Sequence, residues 1–314
     1  MRQIACAATS LAVAGFIAVF ALSFVPLPPP ALIEHFRVQL AAGGLVVAAA
    51  AGGLAFGAGW LDARWFDAAM VALLLDACIL APELADARRE LPEGAPVRVL
   101  VVNVLRESSE FERVRRLIAE EQPDIIGIVE ADARWLRELA PALAPYPSRI
   151  EAPRTDNFGM ALYARGPLEG GGVEHLASDL PSIVAETAHG GARLGIVLVH
   201  PSPPLSGEWY DAQLRHFDAV AARARGFAGP FVIMGDFNAT PWSRAFARLR
   251  GASGTCDSRT GFGAQTSYPA DGWLLRIPID HVLVACSIGV RDRRIGPPVG
   301  SDHLPVIADL VVPR

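Results

Sequence analysis

Val232-Ile233-Met234-Gly235-Asp236-Phe237-Asn238-Ala239-Thr240-Pro241 is the stretch around which the chain can be read. Residues 231–234 form a short apolar run, as a buried strand requires, and Gly235 allows the backbone to turn away from a sheet. Asp236 and Asn238 follow with one residue between them, and on an extended strand end residues two apart share a side. A carboxylate and a carboxamide would then face one small volume. The first can take a proton from water, and the second can hold a phosphoryl oxygen or orient the carboxylate. Pro241 suits the first turn of a following helix. Alone, the same letters also describe a simple helix cap.

Outward from this stretch the pattern repeats. Residues 97–105, 125–129, 159–163, 182–186, 193–199, 279–284 and 304–311 are apolar or β-branched runs that predict strands. The spacing predicts helices over 110–121, 133–139, 207–225 and 243–249. Asn103, Glu130, His200, Asp236, Asn238, Asp280, Asp302 and His303 all stand where an apolar strand ends or begins. Alternating strands and helices imply an α/β or α+β sandwich, and in open sheets the strand ends gather along one edge, where ligands bind. Each of these residues has an ordinary reading alone, as a solvated carboxylate, a packed loop histidine or a turn cap. The ordered set carries the functional reading. His281 follows Asp280 on a strand and should point to the opposite face. Trp209 and Tyr210 open a helix packed on the core, or rest on a headgroup layer. Tyr268 and Trp273 either line a substrate groove or fill a loop. Asp257 and Asp271, in Gly-rich surroundings, read as solvated.

The N-terminus is of another kind. The whole chain of 314 residues is 52% hydrophobic, and the excess lies before residue 82. Residues 4–25 and 39–60 are uncharged runs long enough to span a bilayer, and 66–81 is a third, carrying Asp67 and Asp76. A cleaved signal peptide fits the first run poorly, because its apolar stretch is long and Val25-Pro26-Leu27-Pro28 offers no small-x-small site. Asp76 costs about 3 kcal/mol in a span, so it should face the other helices as a packing group rather than serve an ion path. Gly53-Leu54-Ala55-Phe56-Gly57 offers a GxxxG face for close packing. The expected division is a membrane domain over 1–82, a linker over 83–96 containing Pro92, Gly94 and Pro96, and a catalytic domain over 97–314. Three spans from an inside N-terminus make a multi-pass cell-membrane protein with the catalytic domain on the extracytoplasmic side. Cys6 and Cys78 fall in spans; Cys256 and Cys286 are too few for a disulfide scaffold or a zinc site, and the sequence leaves their pairing open. From Leu91 onward 23 arginines face 26 carboxylates, which lacks the basic face that gripping long duplex nucleic acid requires.

The motifs Val-Val-Asn103-Val, Ile-Val-Glu130-Ala, Leu-Val-His200-Pro, Gly-Asp236-Phe-Asn238-Ala, Ile-Asp280-His-Val and Ser301-Asp302-His303-Leu-Pro occur in this order. Together they resemble the endonuclease/exonuclease/phosphatase superfamily over nearly all of 97–311. Asn157-Phe-Gly159-Met-Ala-Leu-Tyr-Ala-Arg165 resembles a segment of its membrane-attached bacterial members. The resemblance implies a four-layered α/β sandwich of two facing mixed sheets, here preceded by about three transmembrane helices. It implies a divalent metal, Mg2+ with Mn2+ as the substitute. By matched motif, Glu130 is the principal metal ligand with Asn103 beside it, and Asp302 helps hold the metal or the leaving side. Asp236 orients or deprotonates the attacking water, and Asn238 holds a phosphate oxygen and Asp236. His303 contacts the phosphoryl group and pairs with Asp280. His200 is a second phosphate-facing histidine, with Asp156 the candidate for its acidic partner.

The chemistry agrees. An anionic ester repels hydroxide, so a site needs positive charge and fixed donors around its oxygens, and Mg2+ accepts a few carboxylates and keeps its waters. The expected protein is a membrane-tethered phosphoesterase, with a lipid headgroup or small phosphodiester favoured as substrate. Nuclease action on single strands or fragments is the second reading. A non-catalytic membrane receptor or scaffold of the same fold is the contrasting one. Nothing in the sequence sets an oligomeric state.

Overall fold

A computed structural model describes residues 2–25, 30–59, 61–84, 88–177 and 179–314. Pro26 to Pro28, Trp60 at the expected end of the second span, and residues 85–87 of the expected linker lie outside the described residues. The chain divides into one unit of Met1–Ala85 with Pro204–Gly207 and another of Asp86–Pro203 with Glu208–Arg314.

In the first unit, three segments are long and apolar enough to cross a membrane: Arg2–Leu22, Glu34–Gly57 and Ala63–Pro82. The first two begin and end a few residues before the uncharged runs, because charged ends such as Arg2 and Arg37 join the helices, and the third extends 66–81 at both ends. Phe16, Phe20, Ala48, Ala51, Ala69 and Leu73 pack among the three. Ile4, Leu11, Leu45, Val46, Val71 and Leu74 are exposed, which suits a helix bundle surrounded by lipid. The GxxxG stretch is not the packing face. Gly53–Gly57 forms a π turn, which breaks the one-face stacking of residues four apart, and both end glycines face open space. Close approach occurs instead at Gly44, where a Cβ would meet Phe16 and Leu73 at 2.4 and 2.8 Å. Asp76 turns inward, as its cost demands, and meets a charge: its Oδ1 lies 2.9 Å from Arg37 Nη1, both side chains buried.

Twelve strands follow among the described residues. They are β1 (Gly94–Asn103), β2 (Ile125–Val129), β3 (Ser148–Ala152), β4 (Met160–Ala164), β5 (Leu168–Glu174) and β6 (Ser182–His189). The rest are β7 (Ala192–Val199), β8 (Phe231–Asp236), β9 (Thr255–Asp257), β10 (Asp280–Ala285), β11 (Gly289–Ile295) and β12 (Val306–Pro313). Two six-stranded mixed sheets result, ordered β11-β12-β1-β2-β4-β3 and β5-β6-β7-β8-β10-β9. Each has one parallel pair at its centre, β1 with β2 and β7 with β8, and the other pairings are antiparallel. A helix makes each parallel crossover, Phe111–Glu121 in one sheet and Gly207–Arg225 in the other.

The sheets face each other across an apolar interior. Val99, Val101 and Leu162 from one meet Ile196, Leu198 and Met234 from the other in a single apolar cluster. The alternate residues point outward. Leu100, Val102, Ile126 and Ile128 are covered by Leu117, Trp135 and Leu139 of the helices Phe111–Glu121 and Ala133–Leu143. On the far side, Phe217 packs on Phe237 at 5.9 Å and Phe246 on His281 at 4.6 Å. Burial on both faces explains why the central strands read as continuous apolar runs. The result is four layers, helix–sheet–sheet–helix.

Four strands lack an apolar run and were not expected: β3, β5, β9 and β11. β3, β5, β9 and β11 are the four sheet edges, and β5 (Leu-Glu-Gly-Gly-Gly-Val-Glu) and β11 (Gly-Val-Arg-Asp-Arg-Arg-Ile) carry the Gly and charge typical of edges. Gly235 also departs from expectation. It lies inside β8 rather than beyond it, with φ 142°, and a Cβ there would meet Val199 O at 1.9 Å. Asp257 is buried in β9 and accepts a 2.8 Å bond from Arg259 N–H, so it is no solvated loop acid.

Candidate active site

Strand register brings the predicted residues together. Asn103 ends β1 directly opposite Val129, so Glu130 leaves the neighbouring parallel strand at the same level. In the facing sheet, Val199 pairs with Gly235, placing His200 beside Asp236, and Asp280 pairs directly with Asp236. Glu130 takes φ 59°, a left-handed conformation that a non-glycine residue holds only when its surroundings impose it. Asn238 follows at φ 49°, a region asparagine tolerates, and its backbone N–H donates to Asp236 Oδ1 at 2.9 Å. Gln213, from the helix Gly207–Arg225, pins this turn by donating to the carbonyls of Phe237 and Asn238, both at 3.1 Å.

At the centre stands Asp236 Oδ2. Asn103 Nδ2 donates to it at 3.2 Å and to Glu130 Oε1 at 2.9 Å. The Nε2 atoms of His200 and His303 lie 3.5 and 3.6 Å from the same oxygen. On its other side, the His303 ring places Nδ1 2.8 Å from Asp280 Oδ2. Asp280 is itself held, its N–H on Ser267 Oγ at 3.3 Å and its carbonyl on Arg293 Nη2 at 3.1 Å. Asn103, Glu130, His200, Asp236, Asp280 and His303 are all buried, and Asn238 and Asp302 are half-buried.

Charge is unevenly matched in this pocket. Burial would lower the His303 pKa, but the carboxylates of Asp280, Asp236 and Asp302 outweigh it and push the imidazole up to about 10. Burial, abetted by the Asp236 charge, pushes Glu130 up, against the pull of His200 and the Asn103 hydrogen bond. Glu130 Oε2 is buried and has no hydrogen-bond partner among the described residues. Ligand atoms of Glu130, His200 and Asp236 lie within 4.8 Å of one another, as do those of Asp236, Asp280 and His303. An orphaned carboxylate oxygen among further oxygen donors fits a hard divalent cation.

The hydrogen-bond partners of Asn103, Asn238 and Asp156 differ from those expected. Asn103 presents its amide nitrogen to the two carboxylates and bridges them, while its Oδ1 accepts the Leu105 N–H at 3.0 Å. The Asn238 side chain donates to Pro201 O at 3.1 Å, and it is the backbone of Asn238 that holds Asp236. Asp156 is bound by Arg154 at 2.6 and 2.8 Å and is not the partner of His200, whose Nδ1 is buried without one among the described residues. Asp302 joins neither of the tight ligand groups.

His281 points away as expected, its Nε2 2.8 Å from Ala239 O. From sequence, Phe158, within the Asn157–Arg165 segment, has no assigned role, and Tyr268 either lines a groove or fills a loop. Their rings lie 5.2 Å from His200 and 4.7 Å from His303, and they flank the two histidines. Arg293, buried on β11, could not be found from sequence, because its partner Asp280 belongs to the other sheet.

A sequence profile of the Endonuclease/Exonuclease/phosphatase family matches residues 100–303. Among solved structures, the chain is similar to an endonuclease/exonuclease/phosphatase from Bacteroides vulgatus, with TM-score 0.58 and 19% identity over 69% of this chain and 99% of that one. It is similar to D. rerio TDP2 complexed with a single-strand DNA product, with TM-score 0.59 and 13% identity over 68% and 98%. It is also similar to sphingomyelinase C from Streptomyces griseocarneus, with TM-score 0.50 and 18% identity over 68% and 99%. At these identities the likeness concerns the fold. No curated protein matches the chain.

Proposed function

The chain belongs to the endonuclease/exonuclease/phosphatase family, whose hydrolases act on phosphoester bonds, and we propose that it is a membrane-tethered hydrolase splitting a phosphodiester or phosphomonoester by direct attack of water. One observation carries this reading: a single buried oxygen, Asp236 Oδ2, lies within 3.6 Å of two imidazoles and 3.2 Å of an amide, beside the unpartnered Glu130 Oε2.

Asp236 orients the attacking water and receives its proton. His303, kept cationic by Asp280, donates to a phosphoryl oxygen as negative charge gathers there, and His200 faces the same group. Asn238 uses its second amide hydrogen toward a phosphoryl oxygen, while Asn103 keeps Glu130 and Asp236 in register. Glu130 is the principal holder of a divalent cation, Mg2+ or Mn2+, with Asp236 beside it and Asp302 toward the leaving side. When bound, the cation supplies positive charge that lets an anionic ester accept a nucleophile.

The membrane domain runs to about residue 84, where the third apolar helix ends, and the linker to 93, just before β1. The Cys256–Cys286 disulfide, Cα atoms 5.2 Å apart, supports an oxidising, extracytoplasmic setting for the catalytic domain. Spans and a mildly acidic catalytic domain favour a lipid headgroup or small phosphodiester. The nuclease reading draws on Phe158 and Tyr268, whose rings could stack bases of a single strand.

The test is the full chain in nanodiscs, assayed with and without Mg2+ against soluble diesters, phosphoinositides, sphingomyelin and oligonucleotides. Asp236→Asn, Glu130→Gln and His303→Ala should each lower turnover by orders of magnitude with folding preserved. Near-normal rates in all three would remove the assignment.

A further inference from the structure

Between β9 and β10 the chain exposes a continuous apolar tip. Trp273, Leu274 and Leu275 are consecutive and 76%, 64% and 58% exposed. Among the described residues of the same unit, the other exposed large apolar side chains, Leu91, Val173 and Trp209, stand singly. Single exposed apolar residues are ordinary on a soluble surface, whereas three together mark an interaction site.

The tip is built on a hydrogen-bonded base. Tyr268 and Ile277 pair as an antiparallel bridge, with Tyr268 N–H donating to Ile277 O at 3.0 Å. Leu275 N–H donates to Gly272 O at 3.1 Å, and Arg276 Nε to Pro269 O at 3.0 Å. Two further bonds tie the base to the catalytic loop: Ala270 N–H to Asp302 O at 2.7 Å and Leu304 N–H to Ser267 O at 2.8 Å. These flank His303 on both sides, and the Tyr268 ring lies 4.7 Å from its imidazole. Whatever surface receives the tip is thereby held in a fixed relation to His303.

We infer that this tip is an interfacial anchor: Trp273, Leu274 and Leu275 enter the headgroup–acyl boundary of the bilayer, and the ester presented to His303 and Asp236 belongs to a lipid of that surface. The inference rests on the proposed hydrolase reading and names its substrate class. A bilayer is the occupant because the chain itself carries three segments fit to span one. Only residues 85–93 connect the last of these helices, ending at Leu84, to β1, starting at Gly94. Nine residues reach about 30 Å when fully extended, so the catalytic unit stays near the membrane surface. A convex tip of indole and leucine side chains suits a fluid interface that conforms to it, where tryptophan is the favoured residue.

The test uses the full chain in phosphatidylcholine nanodiscs. The tryptophan emission component removed by Trp273→Phe should be quenched by lipids brominated in the upper acyl chain and shielded from aqueous acrylamide. The opposite pattern overturns the anchor. The triple variant W273S/L274S/L275S should hydrolyse sphingomyelin or phosphoinositides in nanodiscs at least tenfold more slowly than wild type. Its rate on soluble bis(p-nitrophenyl) phosphate should stay within twofold. Equal loss on both substrates, selective loss on a single-stranded oligonucleotide, or a wild type that cleaves the soluble diester and no lipid would each overturn the inference. If wild type cleaves nothing, the hydrolase reading fails and with it the lipid-substrate part, while the quenching measurement still decides the anchor.

Discussion

Replacing Asp280 by asparagine isolates the charge that keeps His303 protonated. Asp280 Oδ2 lies 2.8 Å from Nδ1 and both groups are buried, so the substitution preserves shape and a hydrogen-bond partner while deleting a charge. In the wild type, burial alone would depress the imidazole, yet Asp280, Asp236 and Asp302 hold its pKa at about 10 against 6.5. That rise corresponds to about 5 kcal/mol in favour of the cation. Asp280 is the largest of the opposing influences, and its loss leaves the burial in place, so the pKa should fall into or below the ordinary histidine range. At pH 8 the wild-type ring should be cationic and the variant's largely neutral. Loss of a cationic donor to the phosphoryl oxygen should lower kcat by roughly a hundredfold or more. The assay has two arms. One is NMR titration of the His303 Cε1–H in metal-free protein, assigned with His303→Asn. The other is the pH dependence of kcat on bis(p-nitrophenyl) phosphate with Mg2+ present, in which the variant should recover activity toward lower pH. Because the folded pKa is raised, the pair stabilises the metal-free fold fully below pH 6.5, and this contribution is lost as pH rises through about 10. The variant should lack that slope. An imidazole still cationic at pH 8 in Asp280→Asn, or an unchanged kcat, would refute the reasoning.

Other expectations follow from the same geometry. Glu130→Gln removes the orphaned anionic oxygen, so calorimetric Mg2+ affinity should drop at least tenfold while the thermal midpoint of the metal-free protein stays equal or rises. His281, which burial holds neutral down to about pH 4, makes the fold lose stability as pH falls from 6.5 to about 4, by about 3 kcal/mol; thermal unfolding of His281→Gln should show a flatter acid limb. Gly235→Ala sets a Cβ 1.9 Å from the Val199 carbonyl oxygen and forces φ 142° on an alanine, so it should destabilise by about 3 kcal/mol or more in denaturant unfolding. Cys256→Ser/Cys286→Ser opens a link between residues 30 apart and should lower stability by about 4 kcal/mol on loop-closure grounds, with a matching loss in dithiothreitol.

Much of this architecture was legible one strand at a time. β1, β2, β6, β7, β8, β10 and β12 are buried on both faces, so their apolar runs stand out in the sequence, and the polar residues that end them mark the site. The edge strands β3, β5, β9 and β11 were not legible, because an edge needs no continuous apolar side and carries glycine or charge instead. Side-chain orientation was likewise hidden. Which atom of Asn103 faces Glu130, and whether the side chain or the backbone of Asn238 holds Asp236, depends on competing partners, the Leu105 N–H and the Pro201 carbonyl, that motif spacing does not encode.

By itself, the sequence determined that an apolar N-terminal quarter precedes a sandwich whose strand ends carry acids, amides and histidines, because hydrophobic periodicity and strand termini are local properties. Only the tertiary structure decided that Asp76 meets Arg37, that Cys256 joins Cys286, that Arg293 braces Asp280 across two sheets, and that the Trp273 tip is anchored to the loop of His303. Each of these pairs residues far apart in the chain through packing and register, which a linear pattern does not contain.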